Sequence, residues 1–137
     1  MAELVIVKSY AKEVNQAPRK VSLVASLVRG RTVSDALVIL SHTPKRASLA
    51  VQKAIESAKA NAVNNYNLDN KTLSIKTISV TTGTRLKRFK PASRGRALPF
   101  QKKTANILVE ITGSQKISKK VAPKEEAQAK PIKKESK

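Results

Sequence analysis

The chain has 137 residues, with 28 lysines and arginines against nine acidic residues and a formal net charge of +19. That length suits one domain with a modest core. The charge implies a polyanionic partner, because self-repulsion disfavours a compact free monomer and counterion release favours contact with phosphate. Nucleic acid is the leading polyanion, and an anionic membrane surface comes second. With no cysteine in the chain, a disulfide framework, a thiol nucleophile and a thiolate metal site are excluded. The longest apolar run, Ala36 to Leu40, falls far short of the roughly 20 residues of a membrane span. The opening MAELVIV lacks the basic region and long apolar segment of a signal peptide. The expectation is an intracellular protein, soluble or bound in an assembly.

Leu4 to Tyr10 predicts a short strand, with Leu4, Ile6 and Tyr10 on one face and Val5 and Val7 on the other. Apolar on both faces, it is expected in the interior or under cover. A helix follows. Asn15 is placed to cap it, and Pro18 sits near its first turn, where a missing N–H costs little. Val21, Val24, Ala25 and Val28 recur at helical spacing, with Leu23 and Leu27 widening the stripe. Gly30 stands where a helix end takes positive φ. Thr32 opens a second helix with Asp35 three residues on, a short variant of the capping box. Val33, Ala36, Leu37 and Leu40 form its buried stripe, and it ends at Ser41-His42. Thr43-Pro44 opens a third helix by the same logic of cap then proline. Ala47, Ala50, Val51, Ala54, Ala58 and Ala62 line one side of it, with Ile55 beside them. Such small side chains permit close approach, although alanine is also simply a good helix former. Asn61, Asn64 and Asn65 fray the end, and Asn67 to Asn70 is a polar turn.

Leu73 to Val80 predicts the second strand. Leu73 and Ile75 share one parity while Ile78 and Val80 take the other, so a bulge or twist is expected near Lys76-Thr77. From Ala105 to Ile111 strict alternation returns and Gly113 closes the strand. Between these runs lies Thr81 to Thr104, which holds eight basic residues and no acid. Its apolar residues, Leu86, Phe89, Ala97, Leu98 and Phe100, are too few and scattered to build a core. Two strands bracketing a basic segment read as one long hairpin. At about 3.3 Å per residue its arms would project about 35 Å, against a radius of gyration of about 13 Å for a 100-residue domain. Such an arm cannot bury itself on its own body. Ordering about 20 residues costs on the order of 20–40 kcal/mol of backbone entropy, which favours a partner that surrounds the arm. Pro91 and Gly95 suit the turn at its tip. After Ser114, lysine, alanine, glutamate, glutamine and proline dominate. The expected organisation is one domain over 1–113, with the arm at about 81–104, and a disordered basic tail over 114–137.

No chemistry of catalysis emerges. His42 is the only histidine and has no partner thiol or paired acid nearby. The carboxylates are scattered, and Gly83 and Gly95 make no phosphate-cradling loop. No enzyme, metal site or cofactor is expected. Binding chemistry is better supported, since arginine and lysine neutralise phosphates and arginine can grip them bidentately. The candidates on the arm are Arg85, Lys87, Arg88, Lys90, Arg94, Arg96, Lys102 and Lys103. On the body the weaker candidates are Arg19, Lys20, Arg29, Arg31, Lys45 and Arg46, and each of the first four is equally readable as an ordinary solvated charge. Phe89 and Phe100 can stack on bases or wedge against a neighbouring protein. A free-standing nucleic-acid regulator would need a basic recognition helix, and a membrane-surface binder an amphipathic cationic helix. Here the helices are apolar-striped and the cations concentrate in a strand-flanked loop.

Three blocks of the chain resemble the L-twenty-two family of large-subunit ribosomal proteins. Ala17-Pro18-Arg19-Lys20-Val21, continuing to Leu27-Val28-Arg29-Gly30, is similar to its first-helix block. Ser57 to Ala62 with Asn64 is similar to the end of its long helix. Lys87-Arg88, Pro91, Gly95-Arg96-Ala97 and Lys102-Lys103-Thr104 are similar to its hairpin. The resemblance spans Glu3 to Thr112 and departs from the family's pattern at Ser22, Ala92-Ser93 and Ala105-Asn106. It implies an α+β fold, with three helices packed on a small antiparallel three-stranded sheet and a long protruding β-hairpin. It also implies a cytoplasmic, ribosome-bound protein that binds large-subunit (23S) rRNA, supports its assembly and has no membrane partner. The body would sit near the outer end of the nascent-peptide exit tunnel. The tip, Arg88-Phe89-Lys90-Pro91-Ala92-Ser93-Arg94-Gly95-Arg96, would line the tunnel at a constriction shared with ribosomal protein L-four and meet the nascent peptide in passing.

Overall fold

The computed structural model describes residues 5–115. Of the tail expected to be disordered over 114–137, Ser114 and Gln115 are described and bonded to the body, through the Asp69 N–H to the Ser114 carbonyl and a Leu68–Gln115 bridge, and the rest lies outside the described residues. In chain order the elements are β1 (Val5–Val14), α1 (Pro18–Val28), α2 (Val33–His42), α3 (Arg46–Tyr66), β2 (Ser74–Pro91) and β3 (Ala97–Gly113). The three strands form one antiparallel sheet in the order β1-β3-β2. This is the expected α+β arrangement of three helices on a small sheet.

β3, the central strand, keeps its alternation without a break from Ala105 to Gly113. Ala105, Ile107, Val109 and Ile111 are all buried on one face. Facing them across the ladders are Val7 and Ser9 on β1 and Ile75 and Ile78 on β2, also buried. α1 and α3 cover this face, and α2 packs on α3 rather than on the sheet. The helices contribute Val21, Val24, Ala25 and Val28 from α1, Val33, Ala36 and Leu40 from α2, and a largely alanine stripe with Val51 and Ile55 from α3. The alanines of α3 are packed against the core, so close approach, and not helix propensity alone, accounts for them.

Local chemistry shapes the ends. Thr32 Oγ1 accepts from the Asp35 N–H at 3.2 Å, which caps α2. Asn15 does not cap α1. The cap position is Ala17, with no side-chain bond, and Pro18 supplies the preset φ of the first turn. Gly30 lies beyond the helix end at φ 71°. α3 begins at Arg46, two residues after Pro44, with Ser48 Oγ donating to the Lys45 carbonyl at 2.6 Å. Its far end closes with Asn67 in the left-handed region at φ 50° and the Leu68 N–H donating to the Ala62 carbonyl, a turn that buries Leu68.

Several expectations need adjustment. β1 runs to Val14, well past Tyr10, because its pairing with β3 continues beyond the apolar alternation. The helices pack on one face of the sheet only, so just the Val7 and Ser9 side of β1 is covered, while Ile6 and Tyr10 are exposed. Leu23 and Leu27 do not widen the buried stripe of α1; both are exposed. The other edge, β2, is protected along its free side. The Val33 N–H donates to the Leu73 carbonyl, the Ile75 N–H donates to the Arg31 carbonyl, and Arg29 Nη2 donates to the Ile78 carbonyl. The expected irregularity at Lys76-Thr77 is there: Ile75 pairs with Ile111 and Thr77 with Glu110, so Lys76 is the extra residue. The bulge returns Ile78 to the buried face after Ile75.

Candidate nucleic-acid interface

The ladder between β2 and β3 does not stop where the core stops. After the Thr82–Ala105 pair a second irregularity sets Gly83 and Thr84 against Thr104, and regular pairing resumes from Arg85–Lys103 to Pro91–Ala97. From Arg85 to Lys103 no residue is buried. The hairpin is therefore a two-stranded arm whose order comes from its own backbone ladder. Its turn is a short 3-10 segment, Ser93–Gly95, in which Arg94 and Gly95 both take positive φ (56° and 68°). The Ala92 N–H donates to the Arg96 carbonyl at 2.7 Å, closing the tip between the two flanking residues.

Where arm and body join, three strands meet in a polar knot. The Glu13 N–H donates to Asn106 Oδ1 at 2.8 Å, with Glu13 at φ 54°. Thr84 Oγ1 lies 3.4 Å from Glu13 Oε1, and Thr104 Oγ1 donates to the Thr84 carbonyl at 2.8 Å. Gly83 is required here by space. A Cβ at that position would collide with Thr104 Oγ1 and come within 3.2 Å of Asn106 Oδ1. Thr104 is itself buried and bonded, so it cannot easily yield.

The cross-strand register sorts the arm's side chains onto two faces. On the face continuous with the helix-covered side of the sheet lie Arg85 opposite Lys103, Lys87 opposite Gln101, and Phe89 opposite Pro99. On the other lie Leu86 opposite Lys102, Arg88 opposite Phe100, and Lys90 opposite Leu98. Lys90 Nζ sits 5.1 Å from the centre of the Phe100 ring, a cation–π pair. Phe89 is 70% exposed. Arg94 and Arg96 occupy the tip. Among the described residues the only ion pair is Lys8–Glu110 at 3.1 Å, on the body.

The body cations fall into three settings. Lys20, Lys45 and Arg46 line one groove with Gln16, Leu23 and Ala47, at the starts of α1 and α3. Arg19 lines a second groove with Arg85 and Lys103. Arg29 lines a third beside β2, with Lys76 and Ser22. Arg29 and Arg31 also serve the fold, through Arg29 Nη2 to Ile78 and Arg31 Nε to the Leu27 carbonyl at 3.0 Å. Lys76 is a cation that sequence reasoning passed over. Its signal was present in the parity break at Lys76-Thr77, because a bulged residue projects from the ladder. Among the described residues no cluster of three or more His, Cys, Asp or Glu side chains could hold a metal ion. No described helix is long and apolar enough to cross a membrane.

An α+β body with its own core, bearing a cationic, acid-free arm with no core at all, is the build of a structural RNA-binding component of a large ribonucleoprotein. A family model described as Ribosomal protein L22p/L17e matches residues 9–112, which take in all three helices and the whole arm. The chain belongs to that family. It is a structural, non-enzymatic protein of the large ribosomal subunit, ribosome-bound in the cytoplasm, that binds rRNA and neighbouring ribosomal proteins.

Proposed function

We propose that the arm threads between segments of large-subunit (23S) rRNA, holds them together during assembly, and presents its tip to the nascent-peptide exit tunnel. The observation that carries this reading is the stretch from Arg85 to Lys103, which has eight cations, no acid and no buried residue, yet forms a continuous ladder. An isolated two-stranded hairpin is marginal in water. A polyanion on both faces would supply the contacts that its own body does not. Arg85, Lys87 and Lys103 on one face and Arg88, Lys90 and Lys102 on the other would neutralise phosphates of different RNA segments. Arg94 and Arg96, with Pro91, Ala92, Ser93 and Gly95, would form the tunnel wall next to ribosomal protein L-four, in passing contact with the nascent peptide. Lys20, Lys45 and Arg46, and the unused donors of Arg29 and Arg31, would hold the body on the same RNA.

The test is site-directed crosslinking in native large subunits. A photoreactive side chain at position 94 should crosslink to rRNA, to the L-four protein and to a stalled nascent chain. A probe at position 38, on the exposed outer side of α2, should not reach the nascent chain. Nascent-chain crosslinks of equal yield from both positions, or none from position 94, would overturn the tunnel placement.

A further inference from the structure

Arg85 on β2 and Lys103 on β3 are direct cross-strand partners. Like charges set directly opposite destabilise a ladder. A third cation, Arg19 in the first turn of α1, lines the same groove. That groove has a volume of about 500 Å³, and its other walls are Ala17, Pro18, Ser22, Val80 and Thr82. Among the described residues no carboxylate lines it. Three elements distant in sequence thus deliver three positive charges to one hollow, where two hydroxyls stand by and an apolar wall lies alongside. All three cations are exposed, so water screens part of their repulsion, and an anion seated among them would relieve the rest.

We propose that this hollow, at the shoulder where arm meets body, is a single phosphodiester-binding notch. It takes one RNA backbone phosphate between Arg19, Arg85 and Lys103, with the adjoining nucleotide against Pro18 and Val80. The inference rests on the RNA-binding reading of the arm and adds to it. An RNA strand seated here bridges α1 to both strands of the hairpin, so it holds the arm at a set angle to the body. Arm and body cations then act as one unit at this point. Ser22 and Thr82 contribute donors to the phosphate oxygens. Lys102, adjacent in sequence to Lys103 and equal in charge, lies on the opposite face of the arm and has no part in the notch.

A double-mutant cycle on the full chain with purified large-subunit rRNA decides it. Arg19→Ala and Lys103→Ala should each weaken binding. Their combination should fall short of the product of the two single effects by about fivefold or more, as expected for groups that share one ligand atom set. Arg19→Ala with Lys102→Ala should multiply within about twofold, as for separated sites. Multiplicative behaviour of both pairs would overturn the notch while leaving RNA binding by the arm intact. Binding unchanged by all three single substitutions and by salt would instead overturn the underlying reading. As a second measurement, titration of the free protein with inorganic pyrophosphate should shift the backbone amides of Arg19, Ser22 and Arg85 before those of Arg94 and Lys102. Equal shifts at all five would overturn the notch.

Discussion

The lower halves of β2 and β3 and their upper halves are the same two strands in two physical regimes. Below Thr82–Ala105, alternate side chains of β3, with Ile75 and Ile78 of β2 on either side of the bulge, enter a core of valine, isoleucine, leucine and alanine under α1 and α3. Above Arg85–Lys103 the ladder continues with nothing beneath it. All four aromatic residues of the chain, Tyr10, Tyr66, Phe89 and Phe100, are exposed. The body therefore reaches stability by burying aliphatic surface, at about 25 cal/mol per Å². The arm has only hydrogen bonds, cross-strand pairs and one cation–π contact, set against its own charge repulsion. A strand can be specified by its partner's backbone without being stabilised by any core.

The comparison can be broken most directly at the arm. Replacing Lys87, Arg88, Arg94 and Arg96 together by alanine should leave thermal unfolding of the body unmoved. It should weaken rRNA binding by about a thousandfold, at roughly 1 kcal/mol per lost contact. The slope of log affinity against log salt should fall by about four. A body that unfolds in circular dichroism after these changes would show that the arm is part of its core. The converse probe is Ile107→Ala, which should cost on the order of 3 kcal/mol of unfolding free energy in chemical denaturation. Hydrogen exchange in the arm, already unprotected by burial, should scarcely change. The smallest effect belongs to the joint. Gly83→Ala, whose Cβ meets the immobilised Thr104 hydroxyl, should cost about 1–2 kcal/mol. It should also perturb NMR shifts on Glu13, Thr84 and Asn106 while sparing α2.

Much of this was legible along the chain because the physics involved is local. Strict alternation from Ala105 to Ile111 marked the central strand. The change of parity between Ile75 and Ile78 marked the bulge at Lys76. Thr32 with Asp35 marked a capped helix, and Gly95 marked the turn at the tip, while Pro91 proved to be the last residue of β2, paired with Ala97. Other features were not legible. Leu23 and Leu27 fit an apolar stripe by periodicity, but α1 meets the sheet over too narrow an arc to cover them, so they stay exposed. β1 extends to Val14, where no apolar pattern announces a strand, because β3 pairs with Ala11 and, past an irregularity at Lys12-Glu13, with Val14. Asn15 carried the right chemistry for a cap but stands two residues before the cap position at Ala17.

Taken alone, the order of residues determined that the protein has an aliphatic core, a basic arm without one, and no constellation for catalysis. Composition, periodicity and charge act over a few residues and need no knowledge of what lies across the fold. Tertiary structure alone decided which cations meet. Arg19, Arg85 and Lys103 are separated by a helical layer's worth of sequence and a hairpin turn, and only the packing of α1 along β2 with the β2–β3 register brings them to one hollow. Charge proximity is a property of distance in space, and distance in space is set by the whole fold.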